Sequence, residues 1–292
     1  MSTIPTIIFH VGHQDYLFMC LRQALFFDNE VHLIGDNVDY IKKRIKHSKF
    51  HIVDFQKYNE LSRKFRPIYK HFSSNPFELE LICIMRWMYI YQYMKEENIE
   101  KAFICDSDVL LYSNINDDIQ KHFPGDMYLC TSGSKNVTGG QSFFTLDKLH
   151  SFVEFCFSFY ETQIPKIEMW HASHKDDGGI CDMTLLYYFA HNVSEFVGLR
   201  LPELPYFEND LTKVMDDTHT FDLHIGVSGN HTYPNDYEMI KMGEFVQIKK
   251  IHMKDGIPYC FNVRLKKFIR FNLLHFQGGN KQIMRHFYVA KS

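Results

Sequence analysis

The chain has 292 residues, with 32 Lys+Arg against 35 Asp+Glu, a formal charge of −3, 45% hydrophobic and 23% charged residues. These are globular proportions, and 15 glycines with 9 prolines exclude a collagen-like or low-complexity chain. The slightly acidic balance offers no broad basic face, so no nucleic-acid partner is expected.

Met1–Pro5 lacks the basic and apolar regions of a signal peptide. The most apolar stretches are broken by Arg86 or Glu154 before reaching the roughly 18 residues that span a bilayer. A cytoplasmic protein without a transmembrane segment is the expectation. Accordingly, the Asn-x-Ser/Thr sequons at Asn136, Asn192 and Asn230 read as chance. The seven cysteines are scattered with no C-x-x-C pair, which argues against a disulfide framework and a structural zinc site.

In chain order, Thr6–His10 predicts a strand ending in the turn Val11-Gly12-His13, and Tyr16–Phe27 a helix. Val31–Ile34 and His51–Val53 read as buried strands, with helical charge on one side of Ile41–Ile45. This β-α-β-α-β rhythm predicts a mostly parallel sheet covered on both faces. The best-marked helix is Phe77–Glu97, with Asn75 at the N-cap, Pro76 first and Glu78 third. A buried strand, Lys101–Cys105, then meets Asp106-Ser107-Asp108 before Val109–Leu111. Met127–Thr145 is strand-rich around Thr138-Gly139-Gly140, and helices are predicted over Asp147–Phe159 and Asp182–Asn192. Beyond about residue 200 the pattern becomes irregular, with short strands expected at Phe245–Ile251 and Pro258–Val263 and a hairpin turn at Asp255-Gly256. With no repeat and no linker, one domain over 1–292 is expected.

Asp106 and Asp108 are the most informative residues. At i and i+2 of an extended segment, both carboxylates face one side. Two like charges ending an apolar run are costly unless a cation lies between them, and a divalent metal ion takes oxygen ligands. A solvated turn in which Ser107 and Asp106 bond the local backbone is the alternative. Near the end of the chain, Leu273-Leu274-His275 breaks into Gln277-Gly278-Gly279-Asn280-Lys281. His275 offers a nitrogen ligand, and a mixed nitrogen and oxygen set suits Mn²⁺ better than Mg²⁺. Glycines opening a helix present N–H groups to an anion, and Lys281 adds a positive charge. Equally, His275 reads as a sheet histidine and Lys281 as a surface charge.

Together these motifs resemble glycosyltransferase family 8, whose members have a GT-A fold, a D-x-D element and a C-terminal H-x-x-G-x-x-K. The resemblance implies an α/β, Rossmann-like nucleotide-diphospho-sugar transferase with a mixed, mostly parallel central sheet flanked by helices. It implies that Asp106, Asp108 and His275 bind a metal, Mn²⁺ or Mg²⁺, and that Gly278 and Lys281 contact the donor diphosphate. Arg86 matches a donor-site arginine, with Glu80 or Glu97 as its alternative partners. Asp182 matches the acid near the reacting sugar, or else caps its helix. Gly12, Asp15 and Tyr16 occupy the nucleotide loop, and Ser107 joins the donor contacts. Thr138-Gly139-Gly140-Gln141 stands where small residues admit the sugar.

On this basis the chain divides into a nucleotide-binding half, about 1–112, and an acceptor-side half, about 113–292. The implied reaction moves a sugar, hexosyl-like and from a UDP-sugar, to a glycan, protein, lipid or small-molecule hydroxyl, with retention of configuration. Two features depart from the family: its Pro-Trp after the lysine is Gln282-Ile283 here, and Gly12–Tyr16 differs in wording. A haloacid-dehalogenase-like phosphatase, with Asp106 as nucleophile and Asp176-Asp177 holding Mg²⁺, is one alternative. A non-catalytic nucleotide-sugar or carbohydrate binder is another.

Overall fold

The computed structural model describes residues 3–131, 137–174, 179–198, 209–228, 236–242 and 246–290. Asn136, Asn230, Phe245, Asp176 and Asp177, named above, lie outside them. The first half runs β1 (Thr6–His10), α1 (Asp15–Phe26), β2 (Val31–Gly35), α2 (Val38–Lys42), β3 (Phe50–Asp54), α3 (Glu60–Phe65), α4 (Phe77–Glu96), β4 (Lys101–Cys105) and β5 (Val109–Leu111). There follow α5 (Ile115–His122), β6 (Met127–Thr131), β7 (Val137–Thr145), α6 (Leu146–Ser173) and α7 (Asp182–Ala190). The remainder is β8 (His219–Phe221), β9 (Gly226–Ser228), β10 (Met239–Met242), β11 (Val246–Lys249), β12 (His252–Lys254), β13 (Ile257–Asn262) and β14 (Lys267–His275), then a 3₁₀ helix over Gly278–His286.

The architecture is mixed α/β. The central sheet has the order β3-β2-β1-β4-β7-β6, with β3, β2, β1 and β4 parallel and β7 antiparallel to both β4 and β6. Its strands are apolar because both faces are covered. Alternation divides them: Ile7 and Ile104 join a core with Trp87, Phe144 and Phe152 from the α4, α6 and β7 side. Ile8, Phe103 and Cys105 face the other way, into a core with Leu17, Leu21, Phe221 and Leu274. A second sheet, β12-β13-β14-β5 with β8 beside β14, carries the end of the chain back to β5. The strand order reverses between β1 and β4, and in open α/β sheets the crevice beyond the carboxyl ends at such a point is where ligands bind.

Three local expectations are corrected. Pro76, not Asn75, occupies the cap position of α4. The Asn75 amide is taken by buried Glu80, whose Oε2 accepts from Asn75 Nδ2 at 2.8 Å and Ser73 Oγ at 3.0 Å. Leaving that carboxylate unpaired would cost more than the missing cap. Secondly, α6 continues past Phe159 to Ser173 through Pro165. The proline is exposed, while Phe159, Gln163 and Ile167 extend the buried stripe at four-residue spacing. Burial of that stripe outweighs the interior-proline penalty of about 3 kcal/mol. Finally, the segment after Gly278 is a 3₁₀ helix.

All seven cysteines are free. No helix among the described residues is long and apolar enough to cross a membrane.

Candidate functional site

Asp106, Ser107 and Asp108 form the turn between β4, in the central sheet, and β5, in the second sheet. They are not part of one continuous strand, so the turn, rather than strand alternation, orients the two carboxylates. The partner from the end of the chain arrives through β14. It pairs antiparallel with β5, Leu273 opposite Leu111, Leu274 opposite Leu110 and His275 opposite Val109. One further bond, Phe276 N–H to Asp108 O at 2.9 Å, continues the ladder. That register places His275 beside Asp108 across most of the chain length.

Ligand atoms of Asp106, Asp108 and His275 all lie within 4.8 Å of one another. Asp108 Oδ1 stands 3.4 Å from His275 Nε2, and its Oδ2 is 3.2 Å from Lys281 Nζ. The other ring nitrogen of His275, Nδ1, lies 2.7 Å from the Leu223 carbonyl. A carbonyl only accepts, so Nδ1 carries a proton and Nε2 points at the carboxylates. Both Asp108 Oδ1 and His275 Nε2 are buried, and apart from their 3.4 Å approach to each other neither makes a hydrogen bond among the described residues. Buried polar atoms are costly in that state, and a cation between them satisfies both. The donor set fits a divalent metal: two carboxylates and an imidazole, its orientation fixed by a carbonyl in the outer layer.

Charge relations at the cluster are strong. Burial opposes the charged form of both Asp108 and His275, but their proximity outweighs it. Asp108 is held well below the carboxylate range, and His275 is pushed up to about 9. Burial likewise acts against Lys281, and Asp108 more than restores its affinity for a proton. Lys281 Nζ also lies over the Tyr16 ring, 5.2 Å from its centroid.

Arg86 is the second hub. Its Nη1 donates to Asp106 Oδ1 at 2.5 Å and its Nη2 to Asp182 Oδ2 at 2.7 Å. Glu80 and Glu97 are therefore not its partners: Glu80 is held by Asn75 and Ser73, and Glu97 accepts from Tyr58 Oη at 3.1 Å. Asp182 is the first residue of α7 rather than its N-cap, which is Cys181. Burial raises its pKa, with Arg86 opposing, and Trp87 Nε1 donates to the same oxygen at 3.4 Å.

Other predicted residues lie on the same rim. Ser107 Oγ is 2.7 Å from Nδ1 of His10, the last residue of β1, so the hydrogen bond spans the reversal in strand order. Gly12, at φ +112°, donates its N–H to both oxygens of Asp36, at 3.0 and 3.2 Å. Gly278 takes φ +61°, a backbone that favours glycine, and open space surrounds the position of its missing side chain. Asp15 opens α1, exposed, and makes no polar contact with the cluster among the described residues.

Sequence reasoning missed His10, Asp36 and a buried pair behind His275. There Lys249 Nζ meets Asp222 Oδ1 at 2.8 Å, and Asp222 Oδ2 accepts the His275 N–H at 3.2 Å. His10 had a usable signal, a histidine ending an apolar strand. Lys249 and Asp222 had none, because their pairing depends on how β11 meets the loop after β8.

No protein-family model and no curated protein sequence matches the chain. Among solved structures it is similar to mouse xyloside xylosyltransferase 1 in its apo form, at 12% identity and TM-score 0.45, over 67% of this chain and 84% of that one. It is also similar to an apo structure of the bifunctional glycosyltransferase WbbM, at 13% identity and TM-score 0.37 over 55% of this chain. The match spans 34% of the WbbM chain, about a third of its length.

Proposed function

We propose that this chain is a metal-dependent glycosyltransferase of the GT-A type, transferring a sugar from a nucleotide-diphosphate sugar to an acceptor hydroxyl. The observation that carries the reading is the convergence of Asp106, Asp108 and His275, whose ligand atoms lie within 4.8 Å of one another, flanked by Lys281. Charge arithmetic supports an anionic ligand. Asp106, Asp108 and Asp182 contribute three negative charges, and Arg86 and Lys281 two positive ones. A divalent cation with neutral His275 turns the remaining negative charge into a net positive one, suited to a diphosphate.

Asp106, Asp108 and His275 would hold the metal, Mn²⁺ in preference to Mg²⁺ on the strength of the imidazole. When bound, it supplies charge neutralisation to the diphosphate as that group leaves. Lys281, kept charged by Asp108, adds to the same stabilisation, and the open face of Gly278 leaves room for a phosphate oxygen. In the reaction the bond from the anomeric carbon to the diphosphate oxygen breaks. A bond to the acceptor oxygen forms, and the acceptor hydroxyl loses its proton. The resemblance to family 8 supplies the finer assignments: a UDP-sugar donor, retention of configuration, and Asp182 as the sugar-side carboxylate. Arg86 and Trp87 orient that carboxylate.

The phosphatase alternative requires Asp106 as a free nucleophile. Its Oδ1 is instead engaged by Arg86, and His275 and Lys281 would have no part in the chemistry. A panel of UDP- and GDP-sugars incubated with Mn²⁺ tests the proposal through slow hydrolysis, with water standing in for the acceptor. Release of nucleoside diphosphate from one donor supports it. Release of phosphate from a phosphomonoester, with every nucleotide sugar left intact, would overturn it.

A further inference from the structure

A second group of metal-ligating side chains lies at the opposite, amino-terminal ends of the parallel strands. Glu30 immediately precedes β2, His32 is its second residue, and His51 is the second residue of β3. In the parallel register His32 pairs with His51, so the two imidazoles stand on the same side of neighbouring strands, their ring centroids 4.5 Å apart. Glu30 shares that side because it is two residues from His32. Its Oε1 lies 3.0 Å from His32 Nε2 and 3.8 Å from His51 Nε2. One donor atom from each of the three residues falls within a 4.8 Å span. For a tetrahedral ion with bonds of about 2.0–2.1 Å, neighbouring ligand atoms are about 3.3–3.4 Å apart, and the two measured separations bracket that value.

The surroundings suit a metal. His32 Nδ1 is 2.7 Å from the hydroxyl of buried Tyr93 on α4, a contact that anchors the ring with Nε2 turned towards Glu30. Glu30 and His51 are partly exposed, leaving an entry path and room for water as a fourth ligand.

We propose that Glu30, His32 and His51 form a second metal site, selective for an imidazole-preferring transition ion of the Zn²⁺ class. It would clip the entrances of β2 and β3 together, independently of the carboxylate cluster. Two nitrogens and one carboxylate favour such an ion over Mg²⁺ or Ca²⁺.

The test uses the full chain stripped with a chelator, with Zn²⁺ alone as the titrant and Co²⁺ as a spectroscopic probe. The comparison is between wild type and H51A, whose substitution removes a half-exposed side chain remote from Asp108. Wild type is expected to bind one more equivalent of Zn²⁺ than H51A at micromolar concentration. It should also give visible Co²⁺ bands that H51A lacks, and Zn²⁺ should raise the thermal midpoint of wild type alone. E30Q should reproduce the loss. H51A is expected to keep wild-type Mn²⁺ binding, so this result stands or falls separately from the transferase reading. Equal Zn²⁺ stoichiometry and affinity in wild type and H51A, or no micromolar Zn²⁺ binding by wild type, would overturn the proposal.

Discussion

Gly140 lies so close to His275 that a methyl group on its Cα would stand 3.0 Å from the imidazole Cε1, and equally 3.0 Å from Asp106 Oδ2. The β7 backbone at this point forms a wall of the carboxylate–imidazole cluster, and its Gly140 carbonyl accepts the Asp106 N–H at 2.8 Å. Gly140→Ala is expected to displace two of the three proposed metal ligands, weakening Mn²⁺ binding tenfold or more, because ligand geometry tolerates only tenths of an ångström. Gly139→Ala pushes instead mainly on Trp87 and on Leu186 at 2.8 Å, with Arg86 Nη2 at 3.0 Å. It should cost about 1–3 kcal/mol of stability by overpacking. Calorimetric Mn²⁺ titration and urea denaturation of both variants check this division of effects.

Asp108→Asn keeps the shape of the side chain and removes the charge that faces His275 and Lys281. Mn²⁺-dependent donor hydrolysis should fall by about 10²–10³ or more, the scale of losing one transition-state contact, with metal affinity falling too. The far-UV circular dichroism spectrum should be unchanged. Near-normal turnover in this variant would remove Asp108 from the site.

Arg86→Met leaves Asp106 and Asp182 without the cation that joins them. The expected cost is about 3–5 kcal/mol, as for breaking a buried ion pair by deleting one member. Adding Asp182→Asn should recover part of that loss, since it removes one of the two orphaned charges. Urea denaturation of the single and double variants measures the coupling. Simple additivity would mean that the two side chains do not interact energetically.

Metal-free stability should peak near neutral pH. Burial lowers the folded-state pKa of His10, His32 and His219, and it brings His224 down to about 4, with Lys249 adding to the last. These histidines stay neutral in the fold but take up protons when unfolded, so stability is lost as pH falls below about 6.5. His275 has the opposite sign: burial works against its charge, yet Asp108 lifts it to about 9. Its contribution is fully present below about 6.5 and is lost as pH rises towards 9. Urea midpoints from pH 4 to 9 in chelator should trace a maximum, and a curve rising steadily to pH 9 would contradict this sign analysis.

The legible parts of this chain were those where local chemistry and fold agree. The first three strands and β4 announce themselves as apolar runs closed by turn residues, and His275–Lys281 combines a strand end, glycines and a cation. Asn75 was misread because a tertiary demand, the buried Glu80 carboxylate, took the amide that local capping rules assigned elsewhere. The continuation of α6 past Phe159 was not legible because the cost of an interior Pro165 is local, while the compensating burial of Gln163 and Ile167 depends on the assembled core. The partners of Arg86 were out of reach for the same reason: Asp106 and Asp182 meet it only once β4 and α7 are placed.

The antiparallel match of β5 with β14 has a consequence for biosynthesis. Elements contributing Asp106 and Asp108 leave the ribosome long before His275 and Lys281, so a growing chain holds half of the proposed cation cradle until β14 zips into place. Substitutions that merely loosen this seam, such as at Leu274, should therefore abolish the proposed activity while leaving the earlier-made layers standing.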